Sequence, residues 1–146
     1  MQSLYFAYGS NMELAPTQER CPRSRVWRLA TLEGWRFLIN ETGYATVVPM
    51  EGRTTYGLLW QLNLLDEPAL DQYEGIGEGL YTKEWLNVGD SAGQTVRALC
   101  YRAVSSVPGS PQPGYLEGII AAAVALGLPA TYIDELRSWL PLGKAR

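Results

Sequence analysis

The chain contains no histidine. Ser-His-Asp and Cys-His nucleophilic machinery are therefore excluded, along with the commonest metal ligand. Cysteine is almost as scarce. Cys21 and Cys100 stand far apart, too few for a thiolate zinc site, and read as buried thiols rather than a disulfide. There is no basic run either: twelve cationic residues face fifteen carboxylates for a net charge of −3. That balance argues against nucleic acid or an anionic membrane as partner. Arg20, Arg23, Arg25 and Arg28 do cluster, with the spacing of a solvated loop and strand face. No apolar stretch approaches the roughly 20 residues of a membrane span, and the longest runs only from Ile119 to Leu126. A charged region followed by an apolar leader is missing, so the expected location is cytoplasmic and the Asn40-Glu41-Thr42 sequon incidental. Acid–base work in such a chain falls to Asp, Glu, Tyr or Lys.

What is present is a packed globular composition, 47% apolar and 18% charged over 146 residues, which predicts one domain spanning 1–146. Strand signals dominate: Gln2 to Ala7, Val26 to Leu32, Trp35 to Asn40, Tyr44 to Pro49, Thr55 to Leu62, Leu80 to Val88 and Thr95 to Val104. Glu33-Gly34 and Gly52 read as turns between separate strands, and 89–93 as a hairpin turn. A short helix capped by Asn63, with Leu64, Leu65, Leu70 and Tyr73 on one side, ends at Gly75. Two more follow, Tyr115 to Leu126 and about Pro129 to Leu140. The expected architecture is α+β: a small, strongly curved, mainly antiparallel barrel-like sheet with helices packed on it. The five tryptophans are expected in the core or barrel wall.

Two segments carry chemistry. In Tyr5 to Met12 an aromatic run breaks into Gly9-Ser10-Asn11, where a strand stops at a small polar turn. Gly9 has wide backbone freedom, and Ser10 and Asn11 are preferred helix caps. Backbone N–H groups at such a turn form a cradle for a carboxylate or oxyanion, although a plain strand–turn–helix connection explains the same residues. In the second segment Glu74 precedes Gly75 at a helix C-terminus, where a carboxylate is disfavoured and its pKa raised, towards that of a neutral-pH general base. A solvent-facing Glu at a frayed end explains it equally. Glu67, Glu78 and Glu84 read as surface residues, while Tyr8, Tyr81 and Tyr115 can offer hydroxyls to a polar ligand. A carboxylate metal site would have to draw on Asp66, Glu67, Asp71 and Glu74, and metal-assisted hydrolysis on Asp66, Asp71 and Glu74.

Three stretches resemble the γ-glutamylcyclotransferases and their plant and bacterial relatives. Tyr5-Phe6-Ala7-Tyr8-Gly9-Ser10-Asn11-Met12 is similar to that family's N-terminal signature. Leu70-Asp71-Gln72-Tyr73-Glu74-Gly75, followed by Gly79-Leu80-Tyr81, resembles the segment holding its catalytic glutamate. Pro111-Gln112-Pro113-Gly114-Tyr115 resembles its Ser-Pro-Gln-Tyr element, with Pro113-Gly114 inserted, and Gly127-Leu128-Pro129 its Gly-Leu-Pro turn. The resemblance implies a barrel-like fold with a cavity at one end. It implies a small-molecule γ-glutamyl substrate whose α-amine attacks its own γ-carbonyl, releasing 5-oxoproline and a free amine. Glu74 would be catalytic, and Tyr8, Gly9, Ser10, Asn11, Tyr81 and Tyr115 would bind substrate. No cofactor or metal is implied, because the nucleophile belongs to the substrate. Another expectation keeps the fold but makes it a binding module for a carboxylate-bearing metabolite. Neither the leaving amine nor the oligomeric state is encoded in a motif.

Overall fold

A computed structural model describes residues 2–141. Five strands, β1 (Gln2–Ala7), β2 (Arg25–Ile39), β3 (Ala45–Asn63), β4 (Tyr81–Asp90) and β5 (Thr95–Ala103), close into a barrel in the order β1-β3-β2-β4-β5. Pairing is antiparallel except where β1 meets β5 in parallel, with Tyr5 opposite Leu99. Closure leaves β1 paired on both sides, so the apolar Tyr5, Phe6 and Ala7 are all buried. At Gly57, β1 leaves no room for a side chain. A Cβ there would sit 2.4 Å from the Ala7 carbonyl oxygen and 2.9 Å from the Phe6 ring.

The strands expected to be separate turn out to be continuous. The segments expected as Val26–Leu32 and Trp35–Asn40 fall in one strand that ends at Ile39, and those expected as Tyr44–Pro49 and Thr55–Leu62 in one that begins at Ala45. Gly34 (φ 82°) and Gly52 (φ 83°) mark a bulge in the β2–β3 ladder rather than turns that end strands. At that bulge the register shifts, from Glu33 opposite Thr54 to Trp35 opposite Pro49, and the ribbon bends there without breaking. Its outer arm, from Trp35 to Pro49, bonds to β5: the Ala103 N–H donates to Thr46 Oγ1 at 2.9 Å, and Arg102 Nε to the Val47 carbonyl at 3.3 Å. The bend thereby delivers the tip of the ribbon, including Tyr44 and Ala45, to the functional end of the barrel.

Among the described residues four helices decorate the sheet: α1 (Leu14–Arg20), α2 (Glu67–Tyr73), α3 (Tyr115–Leu126) and α4 (Ala130–Arg137). In α3, Leu116, Ile119, Ala122 and Ala123 form the buried face, which packs on the short 3-10 turn Ser10–Met12 and on α4. Gly114 (φ 76°) starts α3 and Gly127 (φ 74°) ends it, both in the left-handed region that glycine tolerates. Helix α4 stops at Arg137, short of the expected Leu140. Asn63 does not cap α2: the cap position is Asp66, and Asn63 Oδ1 takes the Leu65 N–H in a turn before the helix. Leu64 and Leu65 are accordingly exposed, while Leu70 is buried.

Of the tryptophans, Trp60 is fully buried, whereas Trp85 is exposed on the outer barrel wall beneath Arg97. Cys21 and Cys100 are buried free thiols. Asn40 of the sequon is buried, with its side chain bonded to Thr42, Tyr44 and Ser105. No helix among the described residues is long and apolar enough to cross a membrane.

Candidate active site

Strand β1 runs out at Ala7, and the chain turns through Tyr8 and Gly9 into the 3-10 turn. The N–H groups of Met12 and Glu13 close this turn on the carbonyls of Gly9 and Ser10 at 3.0 Å each. Trp60 Nε1 holds it from the barrel interior by donating to the Asn11 carbonyl at 3.0 Å. Among the described residues, no acceptor takes the N–H of Gly9, Ser10 or Asn11. Ser10 and Asn11 do not act as the helix caps their types suggest, because neither helix start has a side-chain cap. Their side chains are used across the site instead. Ser10 Oγ shares a 2.8 Å hydrogen bond with the Tyr73 hydroxyl, and Asn11 Nδ2 donates to Glu74 Oε2 at 3.2 Å.

Glu74 arrives from the opposite side, at the C-terminus of α2, where Gly75 (φ 70°) terminates the helix. Two anchors hold α2 in place. At its start, the buried Asp66 carboxylate accepts from the Arg23 N–H, the Arg23 guanidinium and the Ser24 hydroxyl. Along its length, Asp71 accepts from the Tyr101 hydroxyl at 2.5 Å, and Lys83 bridges Asp71 and Glu67. Asp66, Asp71 and Glu74 thus face different partners, and no cluster of three metal-ligating side chains occurs among the described residues.

The orientation of the Asn11 amide follows from its surroundings. Its Oδ1 accepts from Arg20 Nη1 at 2.8 Å and from Thr17 Oγ1 at 3.2 Å. Its Nδ2 must therefore point the other way, towards the Tyr5 hydroxyl at 2.9 Å and Glu74. Arg20 also stacks on the Tyr73 ring, 3.5 Å from its centroid, so one guanidinium braces both the amide and the aromatic wall.

Between the turn and Glu74 lies a chamber of about 20 Å³, lined also by Tyr5, Tyr8, Tyr81, Tyr101, Tyr115 and Ala45. Ala45 positions two of these rings: its carbonyl accepts from the Tyr81 hydroxyl at 2.5 Å, and its N–H donates to the Tyr115 oxygen at 3.1 Å. The Tyr115 hydroxyl consequently keeps its own hydrogen for another acceptor. Tyr8 donates to the Tyr101 carbonyl at 2.6 Å, so its hydroxyl is committed to the barrel. All seven residues singled out from the sequence, Tyr8, Gly9, Ser10, Asn11, Glu74, Tyr81 and Tyr115, line this one chamber.

The model of the AIG2-like family matches residues 54–136. A γ-glutamylcyclotransferase of Bos taurus is 31% identical over 94% of this chain and 79% of its own, and one of Homo sapiens is 26% identical over the same shares. A solved structure of a γ-glutamyl cyclotransferase superposes with a TM-score of 0.89 at 25% identity, covering 100% of this chain and 92% of the other. The chain belongs to the AIG2-like, γ-glutamylcyclotransferase family.

In this member of the family the chamber separates groups that titrate near neutrality from groups that do not. Burial raises Glu74 from the usual 4.5 to about 7, and the nearby Arg20 charge tempers the rise. Burial also pushes the hydroxyls of Tyr5, Tyr8, Tyr81 and Tyr115 well above the ordinary tyrosine value. At neutral pH these tyrosines are neutral hydrogen-bonding groups, and Glu74 is the wall group that can both take and return a proton. The sequence reading missed Tyr5, Thr17, Arg20, Tyr101 and Ala45. A usable signal existed for one pair: Thr17 and Arg20 are three apart in a helix, hence neighbours on one face.

Proposed function

We propose that the protein is a γ-glutamyl cyclotransferase that releases 5-oxoproline, with Glu74 as its general acid–base. The observation that carries this reading is the position of the Glu74 carboxyl, opposite a turn whose Gly9, Ser10 and Asn11 N–H groups have no acceptor among the described residues. Such N–H groups suit a substrate carboxylate or the oxyanion that develops on a γ-carbonyl oxygen. The free hydrogen of the Tyr115 hydroxyl adds a further donor.

The substrate supplies its own nucleophile. Its α-amino nitrogen attacks the γ-carbonyl carbon, forming the new C–N bond of a five-membered ring while the carbonyl electrons move onto oxygen. Glu74 takes a proton from the attacking nitrogen. As the oxyanion collapses, the bond to the leaving amine breaks and Glu74 returns that proton to the departing nitrogen. Holding the chain folded for ring closure provides much of the acceleration. The reaction is balanced without a cofactor.

The test compares wild type with Glu74→Gln for 5-oxoproline release from γ-glutamyl amino acids and γ-glutamyl amines. Glutamine keeps an oxygen for Asn11 Nδ2 but cannot carry the proton, so turnover should fall by about 10²–10⁴-fold. Saturable binding with no release by wild type would replace this reading with that of a binding module.

A further inference from the structure

The small chamber opens outward into a second one of about 300 Å³, and the two share Ser10, Glu74, Tyr81 and Tyr115. At about 20 Å³ the inner chamber admits a carboxylate-sized group and little more. Whatever is attached beyond the scissile amide must therefore occupy the outer one, with Glu74 at the boundary between them. The walls peculiar to the outer chamber are Tyr44, Tyr73 and Leu80.

These three walls are apolar and yet open to solvent, exposed by 42%, 45% and 51%. Large apolar side chains gathered at one opening leave a surface for something apolar to cover. None is loosely placed. Tyr44 packs edge-on against Tyr115, with ring centroids 5.1 Å apart. Tyr73 is held from behind by Arg20 and at its hydroxyl by Ser10. Leu80 lies over the turn that follows Glu74, where a Cβ on Gly75 would come within 2.9 Å of its Cδ1. The charged member of the outer wall is Glu74 itself. The Arg20 guanidinium is committed to Asn11 and lies against the Tyr73 ring. A leaving group with its own carboxylate would meet aromatic rings and a like charge.

We infer that the outer chamber is a leaving-group subsite selecting γ-glutamyl derivatives of apolar, aromatic amines over those of acidic amino acids. This inference rests on the cyclotransferase reading and deepens it. An aryl or branched alkyl group placed among Tyr44, Tyr73 and Leu80 is removed from water on several sides, and its amide nitrogen lies beside Glu74.

Three probes test it by 5-oxoproline release: γ-glutamylphenethylamine, γ-glutamylethylamine and γ-glutamylglutamate. The aromatic amide should exceed the ethyl amide in kcat/KM by about tenfold, the scale on which a hydrophobic pocket discriminates, with the acidic compound slowest. Leu80→Lys, at an exposed position, places a cation in the wall and should shift the ratio of glutamate to phenethylamine compound by about tenfold towards the former. Equal kcat/KM for the aromatic and ethyl amides, or an unchanged ratio in Leu80→Lys, would overturn the subsite assignment and leave the cyclotransferase reading standing. No release from any of the three would defeat both.

Discussion

Replacing Glu74 by Gln should make the folded protein more stable at alkaline pH even as it removes the proposed proton carrier. The effect follows from where the carboxyl sits. Folding raises its pKa from the usual 4.5 to about 7 because burial disfavours the charged form. Between those two values the folded protein holds a proton that the unfolded chain has given up, so stability falls as pH rises through that window. Above it, wild type carries a partly buried carboxylate at the cost that its raised pKa measures. The gap from 4.5 to about 7 corresponds to at most about 3.5 kcal/mol, at about 1.4 kcal/mol per pH unit. Below the window Glu74 is neutral in both states and glutamine gains nothing. Urea unfolding at about pH 8 should thus show Glu74→Gln more stable by roughly 2–3 kcal/mol, a midpoint shift of about 1 M or more. At about pH 5 the difference should fall below about 1 kcal/mol. Equal differences at the two pH values, or a variant less stable than wild type at the higher one, would refute the account of Glu74 as a buried group raised by desolvation.

Three further outcomes follow from the same geometry. Arg20→Met removes the charge that tempers Glu74, so the acidic limb of the pH–rate profile should move upward by roughly half to one unit; a limb that stays in place would exclude electrostatic coupling between the two. Tyr115→Phe removes the donor left free by Ala45 and the acceptor of the buried Ala45 N–H, so kcat should drop by about tenfold or more and stability by about 1–3 kcal/mol, which single-turnover kinetics and calorimetry together would check. Gly57→Ala pushes a methyl into the Ala7 carbonyl and the Phe6 ring, which should cost about 2 kcal/mol or more by denaturant unfolding.

The sequence disclosed the functional segments more readily than the architecture that joins them. Tyr5 to Met12 and Leu70 to Gly75 stood out because each combines a strand or helix ending with chemically capable side chains. The barrel's strand count did not, because Gly34 and Gly52 carry the usual marks of a turn. A glycine with positive φ serves equally well to bend a ribbon whose hydrogen bonds resume on the far side. That bend is also what brings Ala45 to the site, so its role there had no local signature. Arg20 was hidden for another reason: within a run of four arginines its charge looked like a solvated face, and only the packed fold shows it stacked on Tyr73 and bonded to Asn11. Asn11 itself was noticed as a capping type, yet its use depends on Glu74, which is 63 positions away in the chain.

The chamber is walled by the first strand's turn, by Glu74 after the second helix and by Tyr115 at the start of the third. On the ribosome these pieces emerge in that order. Glu74 and the Gly9-Ser10-Asn11 turn exist seconds before Tyr115 at synthesis rates of about 5–20 residues per second. A nascent chain ending before α3 has Glu74, the proposed acid–base group, but lacks the far wall, as well as the helix face that packs on the turn. If the proposed mechanism holds, the chamber is complete only once α3 has been made, and a chain broken off before it is expected to be inert rather than active without selectivity.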